Sequence, residues 1–324
     1  MAERPLVEQL DQVIESLLGG VTPPRSGQTE LAALAEVANG LRDLPSKDFK
    51  RRLKTELQRR MSMTTGTEVR AGFRTVSPFI IHERAAELVE FLQRTFDAEE
   101  LQRNTGPEAY GFYSEVRIGD SVLMIGGGSA ATRGNLPGAF HVFVDDCDAA
   151  YHRALEAGAT TLMGAMGEPA DRPYGERSAF VEDAFGSYWY IATRLTPDRS
   201  EVNPGSVVPY LHPESVRKQI GFLKAAFGAE EMALVEHAGR VMHAAVRIGD
   251  AVLEMGEAEN RSGIPSGGFF VRVDDVDSAY ESGLAAGATI VRPPDDIPYG
   301  YRSAIVRDPA GYLWWTARLI EESR

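Results

Sequence analysis

The sequence predicts an α+β protein in which two tandem copies of one domain follow a helical N-terminal segment. Four motifs recur in unchanged order at an offset of 125–131 residues. One is Gly-Asp-Ser-Val-Leu at 119–123, which returns as Gly-Asp-Ala-Val-Leu at 249–253. Within each copy, short runs of alternating apolar residues, typical of strands, are separated by runs with helical periodicity. A collinear repeat of this length predicts two copies of the same fold.

The other three motifs also occur once in each copy. They are Phe-x-Ala-Glu-Glu at 96–100 and 227–231, Val-Asp-Asp-x-Asp-x-Ala-Tyr at 144–151 and 273–280, and Pro-Tyr-Gly at 173–175 and 298–300 with Arg-Ser-Ala following. From these motifs we place the first domain at residues 73–195 and the second at residues 203–320. Pro197 and Pro204 bound the short linker between the two domains. A short linker favours intramolecular pairing of the two copies.

Each copy is predicted to be a strand–helix–strands unit used twice. In the first copy the unit begins with a strand at 78–81 and a helix from about 86, followed by strands at 112–118 and 121–125. The second unit begins at 140–144, and its helix ends at Gly158, a residue typical of helix C-termini. Strands at 178–182 and 188–193 complete the copy.

The N-terminal segment at residues 1–61 is predicted to be helical, and 62–72 is predicted to be a linker. Its apolar residues recur at helical spacing, as in Leu6, Leu10 and Leu17. Isolated helices of this length are marginal in water. We therefore expect the segment to dock on the repeats or to join chains into a homo-oligomer.

The net charge of −13 argues against a nucleic-acid partner. The basic run at 47–60 is interpreted as the solvated face of an amphipathic helix. Neither a bilayer-spanning apolar run nor a secretory leader is evident, so no membrane partner is expected. The single cysteine, Cys147, excludes an internal disulfide and favours a cytoplasmic location.

The repeated motifs resemble those of a known family. The stretches Pro-Tyr-Leu from 209, Phe-Gly-Ala-Glu-Glu, Val-Asp-Asp-Val-Asp and Pro-Tyr-Gly-x-Arg-Ser-Ala resemble the PhnB-like branch of the vicinal-oxygen-chelate superfamily, which contains glyoxalases, bleomycin-resistance proteins and extradiol dioxygenases. The resemblance implies paired βαβββ modules, with each pair forming a curled mixed sheet around a cavity. Members of the superfamily include metal-dependent enzymes and metal-free binding proteins, so fold alone does not decide the function.

The resemblance also implies where a metal would bind, on His, Gln or Glu from the first and last strand of each module. Aligning the modules by their strand–helix starts places these positions at Ser77, Met124, Ala139 and Tyr190, and at Val208, Glu254, Gly268 and Trp315. Of these only Glu254 is a competent ligand, and one carboxylate does not make a metal site. A shift of two residues would instead bring in His141, whose counterpart is Phe270. We therefore expect neither a metal site nor a cofactor.

Aromatic residues replace the missing ligands. Tyr190 and Trp315 stand at ligand positions, and Tyr113, Phe143 and Phe270 are predicted to line the same cavities. An aromatic, mostly apolar concavity with few polar groups is typical of a small-molecule pocket. The alternative is that these side chains simply fill the curled sheets as core.

Four polar residues are further ligand-binding candidates, each with a structural alternative. His141 and His243 could contact a ligand or be satisfied structural histidines. Arg177 and Arg302 could clamp an anion with two hydrogen bonds, or could pair structurally with Asp183 and Asp308 across a hairpin.

Two acidic motifs and the lone cysteine are interpreted as structural. Asp145-Asp146 and Asp274-Asp275 are interpreted as caps of the following helices rather than a calcium site. Cys147, beside aspartates, is a poor nucleophile candidate.

Three functions remain open from the sequence. The favoured one is metal-independent binding of a small aromatic or amphipathic molecule in the cavities. The alternative is a metal-dependent lyase, isomerase or dioxygenase with a divergent site in the second domain, near Glu254, His243 or Glu257. A third is a structural or regulatory module in which the N-terminal helices mediate association.

Overall fold

The computed structural model describes residues 72–105, 111–127, 134–196, 202–258, 264–297 and 300–320. The predicted N-terminal helices and the first linker lie outside these residues. None of the described helices is long and apolar enough to cross a bilayer. The described residues form a mixed α+β structure rich in strands, as the sequence predicts.

Four modules of a strand, a helix and further strands follow one another along the chain. The first comprises β1 (Val76–Ile81), α1 (Ala85–Phe96), β2 (Glu99–Thr105), β3 (Phe112–Ile118) and β4 (Ser121–Gly126). The second comprises β5 (Ala139–Phe143), α2 (Cys147–Glu156), β6 (Thr160–Thr161), a 3-10 turn (Gly164–Gly167), β7 (Ala170–Arg172), β8 (Glu176–Glu182) and β9 (Tyr188–Arg194).

The second copy repeats this order. Its first module comprises β10 (Val207–Leu211), α3 (Val216–Phe227), β11 (Glu230–His237), β12 (Arg240–Ile248) and β13 (Ala251–Met255). Its second module comprises β14 (Gly268–Arg272), α4 (Val276–Ala285), β15 (Thr289–Ile297), β16 (Tyr301–Arg307) and β17 (Leu313–Leu319). The predicted capping is confirmed for Asp146 and Asp275, whose side chains accept the backbone N–H groups of Ala149 and Ser278 at the starts of α2 and α4.

The strands form two mixed sheets, and each sheet combines modules from both copies. The eight-stranded sheet has the order β15-β16-β17-β14-β1-β4-β3-β2. The nine-stranded sheet has the order β11-β12-β13-β10-β5-β9-β8-β6, with β7 paired to β8. The copies meet at two central antiparallel pairs, where β1 pairs with β14 and β10 pairs with β5. The structure thus differs from the expectation that two modules of one copy share a sheet.

The hydrophobic cores, by contrast, lie mainly within the copies. One buried cluster joins α1 and α2 to residues such as Phe140 and Trp189 of the first copy, with Val207 added from the second. The other joins α3 to residues such as Phe269 and Trp314 of the second copy, with Val76 added from the first. Each copy therefore packs its helices in its own core, whereas each sheet is built from strands of both copies.

The repeated Gly-Asp motif fastens the copies together. Asp120 accepts the backbone N–H of Ser206 at 2.7 Å, just before β10. In the other copy, Asp250 accepts the backbone N–H and the hydroxyl of Thr75 at 2.6 and 2.7 Å, just before β1. Gly119 and its counterpart Gly249 have φ of 55° and 58°, a conformation that favours glycine. The recurrence of this motif is explained by strand pairing between copies rather than by ligand chemistry.

Candidate functional site

The strands near the centre of each sheet present two different faces. In β5, Phe140 and Val142 are buried in the core beneath the helices. His141 and Phe143 alternate with them and are only half-buried. Successive side chains of a strand point to opposite faces, so His141 and Phe143 lie on the face turned away from the helices. We call this face of each sheet the inner face.

Strand register brings four positions together on each inner face. In the nine-stranded sheet His141 pairs with Tyr190, and Tyr210 pairs with Glu254. In the eight-stranded sheet the corresponding residues are Phe79 with Met124, and Phe270 with Trp315.

The register sets the last-strand positions inferred from sequence opposite different first-strand residues. Met124, Tyr190, Glu254 and Trp315 pair with Phe79, His141, Tyr210 and Phe270, each two residues beyond Ser77, Ala139, Val208 and Gly268. The last-strand positions, such as Tyr190 and Glu254, keep the sequence assignment. The side-chain period of a strand is two, so a shift of two residues leaves the same face exposed, and the sequence pattern cannot detect it.

A buried ionic cluster lies on the inner face of the nine-stranded sheet. The His141 Nδ1 atom is 2.9 Å from Glu254 Oε2, and its Nε2 atom is 3.3 Å from Glu176 Oε2. The side chains of His141, Glu254 and Glu176 are 13%, 14% and 17% exposed. His141 and Glu176 come from the first copy and Glu254 from the second, so the cluster requires both copies.

The cluster holds a charged imidazole. Burial alone would lower the pKa of His141, but attraction to Glu254 and hydrogen bonds to Glu176 and Glu254 outweigh it and raise the pKa to about 9. Burial alone would raise the pKa of Glu254, but the charge and hydrogen bond of His141 lower it overall. At neutral pH the cluster is therefore an imidazolium between two carboxylates.

Aromatic side chains surround this cluster. The rings of Tyr190 and Tyr210 are 5.0 Å apart, and those of Tyr210 and His243 are 6.3 Å apart. The Tyr190 hydroxyl is 2.7 Å from His212 Nε2. Burial raises the pKa of both tyrosines, which keeps the phenols neutral. A Cβ atom at Gly256 would lie 3.0 Å from the Tyr210 hydroxyl, so glycine leaves room for that group.

Phe143 extends the aromatic surface beside the cluster. Its ring lies 4.3 Å from the His141 ring, and the Arg194 guanidinium lies 3.9 Å from its centroid. Of the predicted binding residues, His141, Phe143, Tyr190, His243 and Glu254 are thus brought to one inner face. Three further residues of this face, Tyr210, His212 and Glu176, were not predicted from the sequence. Tyr210 lies in the motif used to recognise the family and could have been found there.

The other predicted aromatic residues lie in the eight-stranded sheet. Trp315 packs edge-on against Phe79 at 5.1 Å, within a small cluster that contains Leu136. A Cβ atom at Gly268 would come within 2.6 Å of Leu136 and 2.9 Å of Trp315, which shows how closely this part is packed. This packing is what the core alternative predicts for Trp315, which is partly buried.

Tyr113 and Phe270 occupy the same sheet as Trp315. The Tyr113 hydroxyl donates to Glu115 at 3.0 Å, and the Phe270 ring lies 6.4 Å from that of Tyr301. The predicted aromatic set is thus divided between two sheets rather than gathered in one cavity.

The two predicted arginine clamps contact helices. Arg177 forms ion pairs with Asp148 of α2 and with Asp171, and Arg302 forms them with Asp277 of α4 and with Asp296. The structural alternative had proposed Asp183 and Asp308 as partners, which is wrong.

Those two aspartates have other partners. Asp183 accepts the Trp189 indole N–H at 2.8 Å, and Asp308 accepts that of Trp314 at 2.9 Å. The predicted pairing of Arg177 with Asp183 and of Arg302 with Asp308 does not form, because both carboxylates accept hydrogen bonds from buried N–H groups of their own hairpins.

The residues present do not fit the family's metal. The inner face of the nine-stranded sheet carries several residues of ligand type, namely His141, Glu254, Glu176, His212 and His243, and both imidazole nitrogens of His141 are engaged by carboxylates. Glu257 accepts the backbone N–H groups of Val216 and Val241, so it is committed to the backbone. Among the residues described, no group of three His, Cys, Asp or Glu side chains is arranged to hold a metal ion.

The lone cysteine is not a candidate nucleophile. Cys147 is buried at the start of α2, and burial, with the charge of Asp148, raises the pKa of its thiol to about 12. A thiol with such a pKa is protonated at neutral pH and reacts slowly. This agrees with the interpretation from sequence.

The charge on His141 predicts a pH dependence of stability. Folding raises the pKa of His141 from 6.5 to about 9. The stabilisation is therefore complete below pH 6.5 and is lost as the pH rises through about 9, a change on the order of 3 kcal/mol. Urea unfolding from about pH 6 to about pH 10 measures it. His141→Phe should flatten this part of the curve; equal slopes for the variant and the wild type would contradict the assignment.

Comparison with known proteins agrees with this architecture. A family profile described as "Glyoxalase/Bleomycin resistance protein/Dioxygenase superfamily" matches residues 213–316. An uncharacterised protein of Mycobacterium tuberculosis (strain ATCC 25618 / H37Rv) is 33% identical over 126 residues, which cover 36% of this chain and 72% of that protein. A protein of Mycobacterium bovis is also 33% identical over 126 residues, covering 36% of this chain and 80% of its own length.

A solved structure shows the same fold over most of the described chain. Glyoxalase I from Zea mays aligns with a TM-score of 0.57 at 15% identity, covering 75% of this chain and 92% of that one. At this identity the similarity concerns the fold alone. The profile match and the mycobacterial relatives show that this chain belongs to the glyoxalase/bleomycin resistance protein/dioxygenase superfamily.

Proposed function

We propose that this chain is a metal-independent binding protein that holds a small aromatic or amphipathic molecule on the inner face of the nine-stranded sheet. The observation that carries the proposal is the group of half-buried rings of Tyr190, Tyr210 and His212 beside the His141–Glu254 pair. Aromatic walls with a few fixed polar groups suit a small-molecule site. Neutral phenols supply hydrogen-bond donors, and the carboxylates supply acceptors.

The donor chemistry supports binding over metal catalysis. A catalytic zinc site keeps three protein ligands, and here the comparable positions hold one imidazole, one carboxylate and two phenols. Both imidazole nitrogens of His141 face carboxylates, so a metal would have to displace Glu254 or Glu176 before the imidazole could bind it. We also propose that the chain belongs to the PhnB-like branch of the superfamily and that it is located in the cytoplasm.

Ligand binding can be tested with a panel of aromatic natural products in a thermal-shift screen, followed by calorimetry on the hits. Tyr210→Ala should weaken binding of a hit about tenfold or more, because a ring wall is lost. Phe79→Ala is the matched control, since Phe79 occupies the corresponding position in the eight-stranded sheet. Equal loss with both variants, or no hit among the panel, would count against a site on this sheet.

Removal of metal should change nothing. Treatment with a chelator is expected to leave the melting temperature unchanged, because there is no metal-binding free energy to lose. Elemental analysis of protein purified without added metal should give well under one equivalent of zinc, nickel, iron or manganese. Stoichiometric metal that survives dialysis, with a lower melting temperature after chelation, would overturn the proposal.

One observation favours a second candidate, a metal-dependent enzyme of the superfamily. His141 and Glu254 are both ligand types, and they meet at corresponding positions of two modules. A metal would have to displace the carboxylates from His141 and recruit Tyr190 or Tyr210. Retention of metal that is abolished by Glu254→Gln would make this candidate the leading one.

A further inference from the structure

Arg172 carries a charge that no carboxylate neutralises. Its Nε atom donates to Ser178 Oγ at 3.2 Å, and its Nη2 atom donates to the carbonyl oxygens of Met166, Glu168 and Ser178 at 2.8–3.2 Å. All these acceptors are neutral. Within the described part of the chain, no carboxylate oxygen lies within 4.0 Å of its guanidinium. By contrast, Arg177 and Arg302 each pair with two aspartates.

Arg172 lies beside the aromatic surface of the proposed site. Its guanidinium is 5.0 Å from the centroid of Phe180, whose ring lies 5.4 Å from that of Tyr190. In β8 the core residues Ala179 and Val181 face the helices, so Ser178 and Phe180 face the inner side. The contacts with both residues therefore place the guanidinium at the inner face.

The hydrogen bonds hold the guanidinium in a fixed orientation. They use Nε and Nη2, which leaves Nη1 for a ligand. The neighbouring Glu176 directs its carboxylate to His141 instead, at 3.3 Å. Glu254 and Glu176 are thus paired with His141 at one end of the site. Arg172 lies at the other end, beside Phe180, and has no carboxylate partner in the ranges that the structure describes.

We propose that the nine-stranded-sheet site takes an aromatic carboxylate, with the ring over Tyr190 and Phe180 and the carboxylate on Arg172. This inference rests on the proposed binding function and narrows it to a ligand class. A guanidinium forms short, charge-assisted bonds with a carboxylate, and its planar donors select that group over a neutral amide. At the opposite end of the site, His141 is already paired with the carboxylates of Glu254 and Glu176.

Pairs of acids and their uncharged amides test the proposal on the full-length chain. The probes are benzoate and benzamide, 2-naphthoate and 2-naphthamide, and anthracene-2-carboxylate with its amide, each titrated by calorimetry near neutral pH. Wild-type protein should bind the acid of a pair about tenfold or more tightly than the amide, since each probe pair differs in one charge-assisted contact. Arg172→Met should bring the two affinities together by weakening the acid alone.

Two further variants separate charge from structure. Arg172→Lys keeps the charge but loses the planar fork, so it should retain part of the preference for acids. Arg292→Met is the matched control, because Arg292 contacts Ser303 at 2.8 Å in the eight-stranded sheet as Arg172 contacts Ser178. It should leave the preference unchanged. If Arg172→Met does not fold, the acid-to-amide ratio of the wild type and of Arg172→Lys still decides the question.

The outcomes distinguish this inference from the proposed function. Equal affinity for acid and amide, with both lost in Tyr210→Ala, would overturn the carboxylate assignment and leave the binding function in place. Binding of neither member of any pair would count against both. A preference for acids that survives Arg172→Met would show that another group recognises the charge and would overturn the role of Arg172.

Discussion

Glu254→Ala is expected to lower the free energy of unfolding by about 3–5 kcal/mol, because it removes one carboxylate from a buried ion pair. His141 would remain charged and buried, with Glu176 alone at 3.3 Å. Its pKa should fall, since attraction to Glu254 is the main effect that raises it. Urea unfolding of the variant and the wild type measures the loss of stability.

The matched controls come from the other sheet, which holds Phe270 and Met124 where this one holds His141 and Glu254. Replacing both partners, as His141→Phe with Glu254→Met, should cost less than Glu254→Ala, because an apolar pair leaves no uncompensated imidazolium. If Glu254→Ala alone costs less than about 1 kcal/mol, the pair is no more than a solvent-screened contact.

Separating the two copies is expected to abolish the folded monomer. Residues 72–196 expressed alone would lose the strands that pair with β1 and β5, and residues 202–320 would lose those that pair with β14 and β10. Each half would then expose unpaired central strands and part of its apolar inner face. We expect each half alone to be unfolded, aggregated or self-associated, by light scattering and circular dichroism.

Mixing the two halves should restore a single folded complex that contains one molecule of each half. The hydrogen bonds that Asp120 accepts from Ser206 and that Asp250 accepts from Thr75 would re-form in that complex. A nicked chain, cleaved between residues 196 and 202 after folding, is the control and should stay associated. A monomeric half with a cooperative transition like that of the whole chain would contradict the shared sheets.

The sequence was informative about the elements and less so about their partners. Repeated motifs identify the copies, and local chemistry identifies the caps at Asp146 and Asp275. Which strand pairs with β1 depends on contacts between residues almost two hundred positions apart, such as Val76 with Val271. Strand periodicity carries no information about that choice, so the joining of copies in each sheet was not predicted.

The site shows the same limit. Glu254 was recognised as a candidate ligand from its position in its own strand. Its contact with His141, by contrast, spans 113 residues and depends on a strand register that the sequence left uncertain by two positions. Arg177 and Arg302 were proposed with the wrong structural partners, because the helix starts at Asp148 and Asp277 come close only in the folded chain. Arg172 carries no motif at all, and only its neutral hydrogen-bond partners distinguish it.

The most direct test is the protonation state of His141, followed by NMR of histidine-labelled protein as pH is raised and zinc or nickel is added. We predict that both ring nitrogens of His141 carry protons at neutral pH, that the group titrates near its pKa of about 9, and that an equivalent of metal leaves its resonances unchanged. His141→Phe assigns the signals. A neutral His141 at pH 7 whose resonances shift or broaden with one equivalent of metal would contradict the account and identify the site as a metal centre.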